Sequence, residues 1–198
     1  MFFLDFRTSK TKDNLMRAFA GECQAYMRYS FAAKQAKAEK LRLIEELFMY
    51  TANEERAHAK VFYDKLAVLA GETVAIDGTY PVDIAQSSAE LLRMAQHNEY
   101  QEHDNVYKGF AEIAKDEGFA EIAAVFYMIA DIEKIHGDRF GRFAEAIENR
   151  SLFAGTEETL WICLNCGHIY RGKEPPALCP VCRHDRGNFI RFELSPFE

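Results

Sequence analysis

Apolar residues recur along the first three quarters of the chain at intervals of three and four, which places them on one face of an α-helix. Four such segments can be separated, at about 13–38, 40–70, 88–117 and 119–148. Each of the four helices would be roughly 25–30 residues and so about 40 Å long. The pattern therefore predicts a bundle of four long helices.

Capping and helix-breaking residues indicate where these helices begin and end. Asp13 can cap the first helix, and Ser87 followed by Glu90 has the form of a capping box for the third. Gly71 and Gly118 stand where the second and third helices should end.

The segment 71–86, between the second and third helices, contains two glycines and a proline. It is longer than two neighbouring antiparallel helices need, so it predicts a crossover that traverses the bundle. The simplest arrangement is two helix pairs joined by this crossover and related by a pseudo-twofold axis. Residues 1–10 look like a loose or strand-like arm.

After the fourth helix the pattern changes. Residues 150–160 lose the helical spacing and predict a linker, and from Trp161 the composition shifts to Cys, Pro, Gly and aromatic residues. About 38 residues cannot hold a fold by a hydrophobic core alone, so this tail needs a metal or another staple. The predicted domains are a bundle over 1–149 and a tail over 161–198.

One group of polar residues is written twice along the four helices. The first half has Glu22 and then Glu55-Arg56-Ala57-His58, and the second half has Glu99 and then Glu133-Lys134-Ile135-His136. Residues three apart on a helix share a face, so each Glu-x-x-His pair points one way. A lone Glu in such a segment is usually a surface residue, but two copies at matched spacing on four helices argue against that. This is the ligand set of dinuclear carboxylate bundles, and oxygen ligands with two imidazoles suit iron or manganese.

Other polar residues lie near this set. Glu102, three residues after Glu99, adds a fifth carboxylate whose repulsion metal ions would relieve. Tyr29 and Tyr107 follow the lone Glu of each half by seven and eight residues, and they either pack in the core or hydrogen-bond to the carboxylates. Three further residues are expected in solvent or beside the ligands: Glu54, His97 and His103.

Four of the five cysteines form two CxxC pairs in the tail. They are Cys163, Cys166, Cys179 and Cys182. Spacing alone favours a structural zinc. The Cys-Pro-x-Cys form and the aromatic residues Trp161, Tyr170 and Phe189 favour a single iron in four thiolates. Cys23, in the first helix, is expected to be a small buried hydrophobe.

Bulk properties exclude some function classes. The chain of 198 residues has 24 basic and 31 acidic residues and a net charge of −7, which argues against binding to nucleic acid or to an anionic membrane surface. No apolar stretch approaches the ~20 residues of a membrane helix, and the N-terminus does not resemble a secretory signal. The cysteine pattern fits a reducing cytoplasm.

These motifs together resemble rubrerythrin, from Asn14 to Leu194. The residues that carry the resemblance are Ala20-Gly21-Glu22, Glu54-Glu55-Arg56-Ala57-His58, Glu99-Tyr100-Gln101-Glu102, Glu133-Lys134-Ile135-His136 and the two CxxC pairs, twelve residues apart. The resemblance implies a ferritin-like four-helix bundle with two non-haem irons and a C-terminal rubredoxin-like domain with one. It also implies a peroxidase that reduces hydrogen peroxide to water in the cytoplasm of anaerobic or microaerophilic cells.

The resemblance also implies roles for single residues. The bridging carboxylates would be Glu55 and Glu133, and the terminal ligands would be Glu22 on one iron and Glu99 with His136 on the other. Glu102 would bind the first iron when it is oxidised, and His58 would replace it when the iron is reduced. Tyr29 and Tyr107 match tyrosines beside the ligands, and His184 matches a histidine beside the four-thiolate iron. A rubredoxin or an NAD(P)H-dependent reductase would supply electrons, and a head-to-tail homodimer would pass them from the tail of one subunit to the bundle of the other.

Two positions depart from the family pattern. The acidic residue usual before the second bridging Glu is Ile132 here, with Asp131 one place earlier, and the turn 36–40 lacks the usual Gly. Two other functions remain open at this point. An iron-storing ferritin relative would have no use for the four-cysteine tail, and a non-enzymatic metal-binding module would carry zinc there and be colourless.

Overall fold

The structure, a computed structural model, describes residues 4–195. Five α-helices form the bundle: α1 (Lys10–Ala38), α2 (Arg42–Lys65), α3 (Ser88–Gln101), α4 (Tyr107–Asp116) and α5 (Ala120–Glu148). Three strands form the tail: β1 (Thr159–Cys163), β2 (Ile169–Gly172) and β3 (Phe189–Arg191). The third predicted helix consists of α3 and α4, so the bundle has four long helical rods. The predicted fold class, a mainly α four-helix bundle with a small cysteine-knuckle domain, is confirmed.

The start of α1 differs from the sequence prediction. The Ser9 side chain accepts a hydrogen bond from the Lys12 N–H and caps the helix, whereas Asp13 lies in the first turn. The Glu117 carboxylate, just after α4, accepts hydrogen bonds from the Thr11 backbone and hydroxyl. The sequence predicts a loose or strand-like arm; where the structure describes it, residues 4–5 are irregular, Phe6–Thr8 is a 3₁₀ turn, and the strand alternative is wrong. Residues 1–3 of that predicted arm lie outside the described residues.

Helix α2 ends at Lys65, five residues before the predicted end, and a 3₁₀ turn follows at Ala67–Leu69. Two other boundaries are confirmed. Ser87 caps α3 by accepting the Glu90 N–H, and Gly118 ends α4 with a φ of 90°, a left-handed conformation that glycine adopts without strain.

Between α3 and α4 the backbone forms a π-helical segment, Glu102–Val106, where the sequence predicts an uninterrupted α-helix. A π segment holds one more residue per turn than an α-helix. Glu22 and Tyr29 are seven residues apart, but Glu99 and Tyr107 are eight apart. The π segment absorbs the extra residue, so both tyrosines reach the bundle interior, where each is 2% exposed.

The tail rests on one end of the bundle. Its antiparallel sheet has the order β2-β1-β3. Ile162 and Ile190 belong to the same buried apolar cluster as Leu43 of α2. A Cβ on Gly187 would lie 1.6 Å from the Lys40 carbonyl oxygen, so only glycine permits this close approach. The tail therefore sits against the turn between α1 and α2. Within residues 4–195, no helix is both long and apolar enough to cross a lipid bilayer.

Candidate metal centre

The two halves of the bundle bring their repeated polar residues into one buried space. Ligand atoms within 4.8 Å of one another form two groups: Glu22, Glu55, His58 and Glu133, and Glu55, Glu99, Glu133 and His136. Glu55 and Glu133 belong to both groups. Each group offers three carboxylates and one imidazole, so the arrangement has room for two cations that share two carboxylates.

Each imidazole turns its Nδ1 atom toward the two shared carboxylates. His58 Nδ1 lies 3.1 Å from Glu55 Oε2 and 3.0 Å from Glu133 Oε1. His136 Nδ1 lies 2.9 Å from Glu55 Oε1 and 2.8 Å from Glu133 Oε2. The two rings stack with centroids 5.6 Å apart. The pseudo-twofold repeat seen in the sequence is thus present in the positions of the ligand atoms.

The two tyrosines connect the halves crosswise. The Tyr29 hydroxyl of α1 donates to Glu99 of α3, and the Tyr107 hydroxyl of α4 donates to Glu22 of α1 at 2.5 Å. Each bond satisfies one oxygen of a lone Glu. Glu102 is placed differently, because it belongs to neither group of converging ligand atoms.

Several buried atoms of these residues make no hydrogen bond. They are one carboxylate oxygen each of Glu22, Glu55 and Glu99, both oxygens of Glu133, and both ring nitrogens of His136. Unpaired buried oxygens are costly, and divalent cations would partner several at once. The donor set therefore fits a pair of hard or borderline metal ions.

Without a cation, burial and mutual repulsion disturb the ionisation of the carboxyls. Burial, followed by the charges of Glu133 and Glu55, raises the pKa of Glu22 well above its usual range. Burial and the charge of Glu55 raise the pKa of Glu99 to about 8. Burial and the charge of Glu99 likewise raise the pKa of Glu102. The site would hold several protons that metal ions would displace.

The imidazoles, unlike these carboxyls, favour their charged form. Burial lowers the pKa of His58, but the close carboxylates of Glu133 and Glu55 outweigh it and raise that pKa to about 10. Burial of Glu55 is likewise outweighed by His136 and His58, which lower its pKa to about 2. Without metal ions, the positive charge among these carboxylates would therefore come from the protonated imidazoles of His58 and His136.

One supporting residue was missed from the sequence. Arg139 on α5 donates a hydrogen bond to Glu54 at 2.5 Å and another to Thr51 at 2.8 Å. Glu54 Oε2 in turn lies 3.2 Å from His136 Nε2. The position of Arg139, three residues after His136 and so on the same helix face, was a signal that could have identified it.

A cavity of about 880 Å³ lies between α1, residues 77–81 of the crossover, and the α3–α4 rod. Glu102 and Tyr107 line it, and so do apolar residues of α1 and α4. We call it the crossover cavity. Because Tyr107 is bonded to Glu22, the cavity borders the carboxylate cluster.

In the tail, all four CxxC sulfurs lie within 4.8 Å of one another. The Sγ atoms of Cys163 and Cys182 are 3.7 Å apart, as are those of Cys166 and Cys179. A tetrahedron with metal–sulfur bonds of about 2.3 Å has edges of about 3.8 Å, so the four thiols fit one tetrahedral metal ion.

The environment around these thiols is consistent with metal binding. The backbone N–H of His184 donates to Cys182 and lowers the pKa of that thiol to about 6. Burial raises the pKa of Cys163 to about 12. Trp161 and Phe189 are fully buried beside the cluster, and Tyr170 packs against it, as the sequence suggests.

The remaining candidate residues belong to none of the groups of converging ligand atoms. Cys23 is exposed, so its predicted burial is wrong. His97 is exposed to solvent. His103 contacts Asp104 and Lys108 and belongs to neither ligand group. His184 is exposed, and its Nδ1 lies 3.3 Å from the Cys182 carbonyl oxygen.

Comparison with known proteins gives consistent results. A family model described as "Rubrerythrin" matches residues 13–144, and one described as "Rubrerythrin, rubredoxin-like domain" matches residues 161–190. The chain is 42% identical to a rubrerythrin of Clostridium perfringens over 93% of this chain and 95% of that protein. It is 44% identical to a rubrerythrin of Porphyromonas gingivalis over 91% and 89%. A solved structure titled as a mixed-valence state of nigerythrin superimposes with a TM-score of 0.62 at 25% identity, covering 97% of this chain and 94% of that one.

Proposed function

Because the chain belongs to the rubrerythrin family, with a di-iron carboxylate bundle and a rubredoxin-like four-cysteine domain, we propose that it is a peroxidase that reduces hydrogen peroxide to water. One observation carries the proposal: two four-ligand groups share Glu55 and Glu133 in a buried space that borders a cavity. The balance is one peroxide, two electrons and two protons giving two waters.

We assign the ligands from this geometry and the family resemblance. Glu55 and Glu133 would hold both irons, and Glu22 would be a further ligand of the first. Glu99 and His136 would complete the second. His58 and Glu102 would take turns as ligands of the first iron. The ligand atoms of His58 converge with those of the first group, whereas Glu102 lies outside both groups, which supports different roles for these two residues.

When bound, the two irons supply two electrons and act as Lewis acids toward the peroxide oxygens. The chain's own residues bind, orient and handle protons. Tyr107, donating to Glu22, and Tyr29, donating to Glu99, hold one oxygen of each lone carboxylate and so fix the orientation of both side chains. Burial keeps the pKa of Glu102 high, so this carboxyl can carry a proton to the reacting oxygens.

The crossover cavity is the proposed route for peroxide. Glu102 and Tyr107, which both lie next to the centre, line this cavity. Its volume lies within the range of small-molecule sites and is ample for peroxide and water. A peroxide arriving here would meet the proton-carrying Glu102 first.

The four-cysteine tail is the proposed electron supply. The four thiolates would hold one iron, which would supply one electron at a time, so two transfers would refill the di-iron centre. A rubredoxin or an NAD(P)H-dependent reductase would supply the tail. We place this activity in the cytoplasm, because none of the five cysteines, all within residues 4–195, forms a disulfide, as suits a reducing compartment.

We further propose a head-to-tail homodimer. The tail contacts its own bundle at the α1–α2 turn, and Glu55 lies 13 residues along α2 from Arg42, or about 20 Å. Exposed apolar residues lie elsewhere on the surface: Tyr50 and Val61 on α2, Met128 and Ile135 on α5, and Leu164 and Val181 on the knuckles. Knuckles of one subunit packed on α2 and α5 of its partner would shorten the electron path and bury these residues.

The decisive experiment combines metal analysis with a visible spectrum. After anaerobic loading with iron we expect three irons per chain, a red ferric four-thiolate spectrum, and bleaching by reductant that peroxide reverses. The variant with Glu55→Gln and Glu133→Gln should keep the red colour and lose peroxide reduction. Zinc in the tail after growth with ample iron, or peroxide turnover unaffected by the two Gln substitutions, would contradict the proposal.

A further inference from the structure

The two imidazoles of the metal centre differ in what lies behind them. His136 Nε2, on the side away from the shared carboxylates, lies 3.2 Å from Glu54 Oε2. Glu54 is itself held by Arg139, which also donates to the Thr51 hydroxyl. The Arg139 guanidinium lies 5.0 Å from the centre of the Tyr50 ring. A chain of contacts thus runs from the surface to the back of the His136 ring.

Nothing equivalent stands behind His58. Its contacts at ion-pair distance run through Nδ1 to Glu22, Glu55 and Glu133. Within residues 4–195, no hydrogen-bond or ion-pair partner meets its Nε2 atom. By the repeat, the residue that corresponds to Glu54 is Ile132, because each precedes a bridging glutamate by one position. Isoleucine offers no acceptor.

The contacts of Glu54 suit this role, because Arg139 donates to the same carboxylate oxygen that lies beside His136 Nε2. The Glu54 side chain is 30% exposed and that of Arg139 is 17% exposed, so neither is fully hidden. An ionised carboxylate behind a ligating imidazole fixes which nitrogen carries the proton and how the ring is oriented.

We propose that Glu54, held by Arg139 and Thr51, is a positioning residue that makes His136 a permanent ligand, and that Ile132 leaves His58 free to leave the centre. The inference rests on the proposed metal centre and goes beyond it. It explains why ligand exchange would be confined to the first iron, although the repeat gives both irons the same Glu-x-x-His pair. The two halves differ at the residue just before each Glu-x-x-His motif, which is Glu54 in the first half and Ile132 in the second.

The test measures metal binding without peroxide or activity. With the tail filled by zinc, the full-length protein is titrated with Mn²⁺, which prefers the carboxylate-rich bundle. Glu54→Leu should weaken one of the two Mn²⁺ sites by about 10–100-fold and leave the other unchanged. Glu54→Gln keeps an acceptor oxygen and should lose less. Glu46→Leu, an exposed carboxylate on the same helix, serves as the matched control and should change neither site.

Two histidine backgrounds distinguish positioning from a general structural role. If Glu54 acts through His136, Glu54→Leu has no further effect on Mn²⁺ binding in a His136→Ala protein and its full effect in a His58→Ala protein. An equal loss in both backgrounds, or equal weakening of both sites, would overturn the inference. Glu54→Gln provides the same comparison should Glu54→Leu fail to fold. Failure here leaves peroxide reduction untouched, so it is separable from failure of the proposed function.

Discussion

At the scale of single residues, the two halves of the centre share ligands but not surroundings. Each half supplies one lone Glu, one Glu-x-x-His and one tyrosine that bonds to the Glu of the other half. The differences are Glu102, whose counterpart in the first half is Ala25, and Glu54, whose counterpart in the second half is Ile132. The symmetric residues form the two groups of converging ligand atoms, and under our proposal the asymmetric ones would make the two irons inequivalent.

Changing His58→Ala tests this inequivalence. Because His58 Nε2 has no partner among residues 4–195 and His58 is expected to bind only the reduced first iron, its removal should leave the oxidised centre with its carboxylates. We expect unchanged iron content and a peroxide rate at least about tenfold lower, which corresponds to ~1.4 kcal/mol. Iron analysis and the rate of reductant-driven peroxide loss are measured on the same sample. Parallel loss of iron and rate would show that His58 is a permanent ligand.

At the scale of secondary structure, two local backbone features position the elements. The π segment Glu102–Val106 lets Tyr107 reach Glu22 despite one extra residue. The turn between α1 and α2 uses Lys40 at a φ of 58°, where a glycine is typical, and the Leu41 N–H closes the turn on the Ala36 carbonyl oxygen at 2.9 Å. The absence of the usual glycine from this turn thus leaves strain in the backbone.

The strain at Lys40 gives a stability prediction. A left-handed conformation costs an L-residue about 1–2 kcal/mol, while glycine loses roughly 0.5–1 kcal/mol of chain entropy on folding. Lys40→Gly should therefore stabilise the protein by about 0.5–1 kcal/mol, measured by thermal or denaturant unfolding. Lys37→Gly, inside the last turn of α1, is the control and should destabilise by about 1 kcal/mol. A loss of stability in Lys40→Gly would mean that the Lys40 side chain makes a contact worth more than the strain.

At the scale of the whole molecule, the bundle is folded around buried charge. Glu22, Glu99 and Glu102 all have raised pKa values without metal, and so does His58. Groups whose folded pKa is raised favour the folded state at low pH and lose that contribution as the pH rises. Metal ions replace the missing protons.

We therefore predict that the metal-free protein becomes less stable as the pH rises from about 4.5 to 10. Below about pH 4.5 the carboxyls are protonated in the folded and in the unfolded chain alike. Above that pH the unfolded chain loses these protons, whereas folded Glu99 keeps its proton up to about pH 8 and folded His58 up to about pH 10. Each ~1 kcal/mol lost lowers the melting temperature by about 2–4 °C. Melting curves of metal-free and metal-loaded protein across this range are the measurement.

The control for that slope is a protein with Glu22→Gln and Glu99→Gln, which removes two of the titrating groups. Its metal-free melting temperature should fall less steeply with pH, and thiols of the tail contribute equally to both proteins. In the metal-loaded wild-type protein, deprotonation of these carboxyls should contribute little to the change of melting temperature with pH. A metal-free protein that gains stability between pH 4.5 and 8 would contradict the assigned protonation of the cluster.

The position of the tail gives a prediction about assembly. Because Ile162 and Ile190 complete the buried cluster of the bundle, deleting the tail would expose core residues. A tail silenced by Cys166→Ser and Cys182→Ser, the two cysteines that are not buried, keeps the chain intact. It is mixed with a second variant that carries Glu55→Gln and Glu133→Gln.

Neither variant alone should reduce peroxide with electrons delivered through the tail. If electrons cross between subunits, each mixed dimer has one working tail-to-bundle route and recovers activity toward half of the wild-type value per dimer. Size-exclusion chromatography and tags on each variant establish that mixed dimers form. Mixed dimers without recovered activity would show that transfer stays within one chain.

The sequence by itself determined which residues could form the centre. Helical periodicity decides which side chains share a face, because 3.6 residues make a turn, and so the spacing of the doubled Glu/Glu-x-x-His pattern is enough to predict a common interior. The CxxC pairs likewise predict four converging thiols, because each knuckle places its two sulfurs together. The helix ends were less well predicted: α1 starts at Ser9 rather than Asp13, and α2 ends at Lys65.

Only the tertiary structure decided what surrounds those ligands. The crosswise tyrosine bonds, the Arg139–Glu54 contact behind His136, and the cavity beside Glu102 join residues tens of positions apart, and local periodicity carries no information about such contacts. The π segment is visible in the sequence only as a spacing, because Tyr107 follows Glu99 by eight residues whereas Tyr29 follows Glu22 by seven. Only the packing of the helices shows that the backbone absorbs the extra residue and keeps Tyr107 in the core. Ligand identity follows from helix geometry, whereas ligand environment follows from how the helices meet.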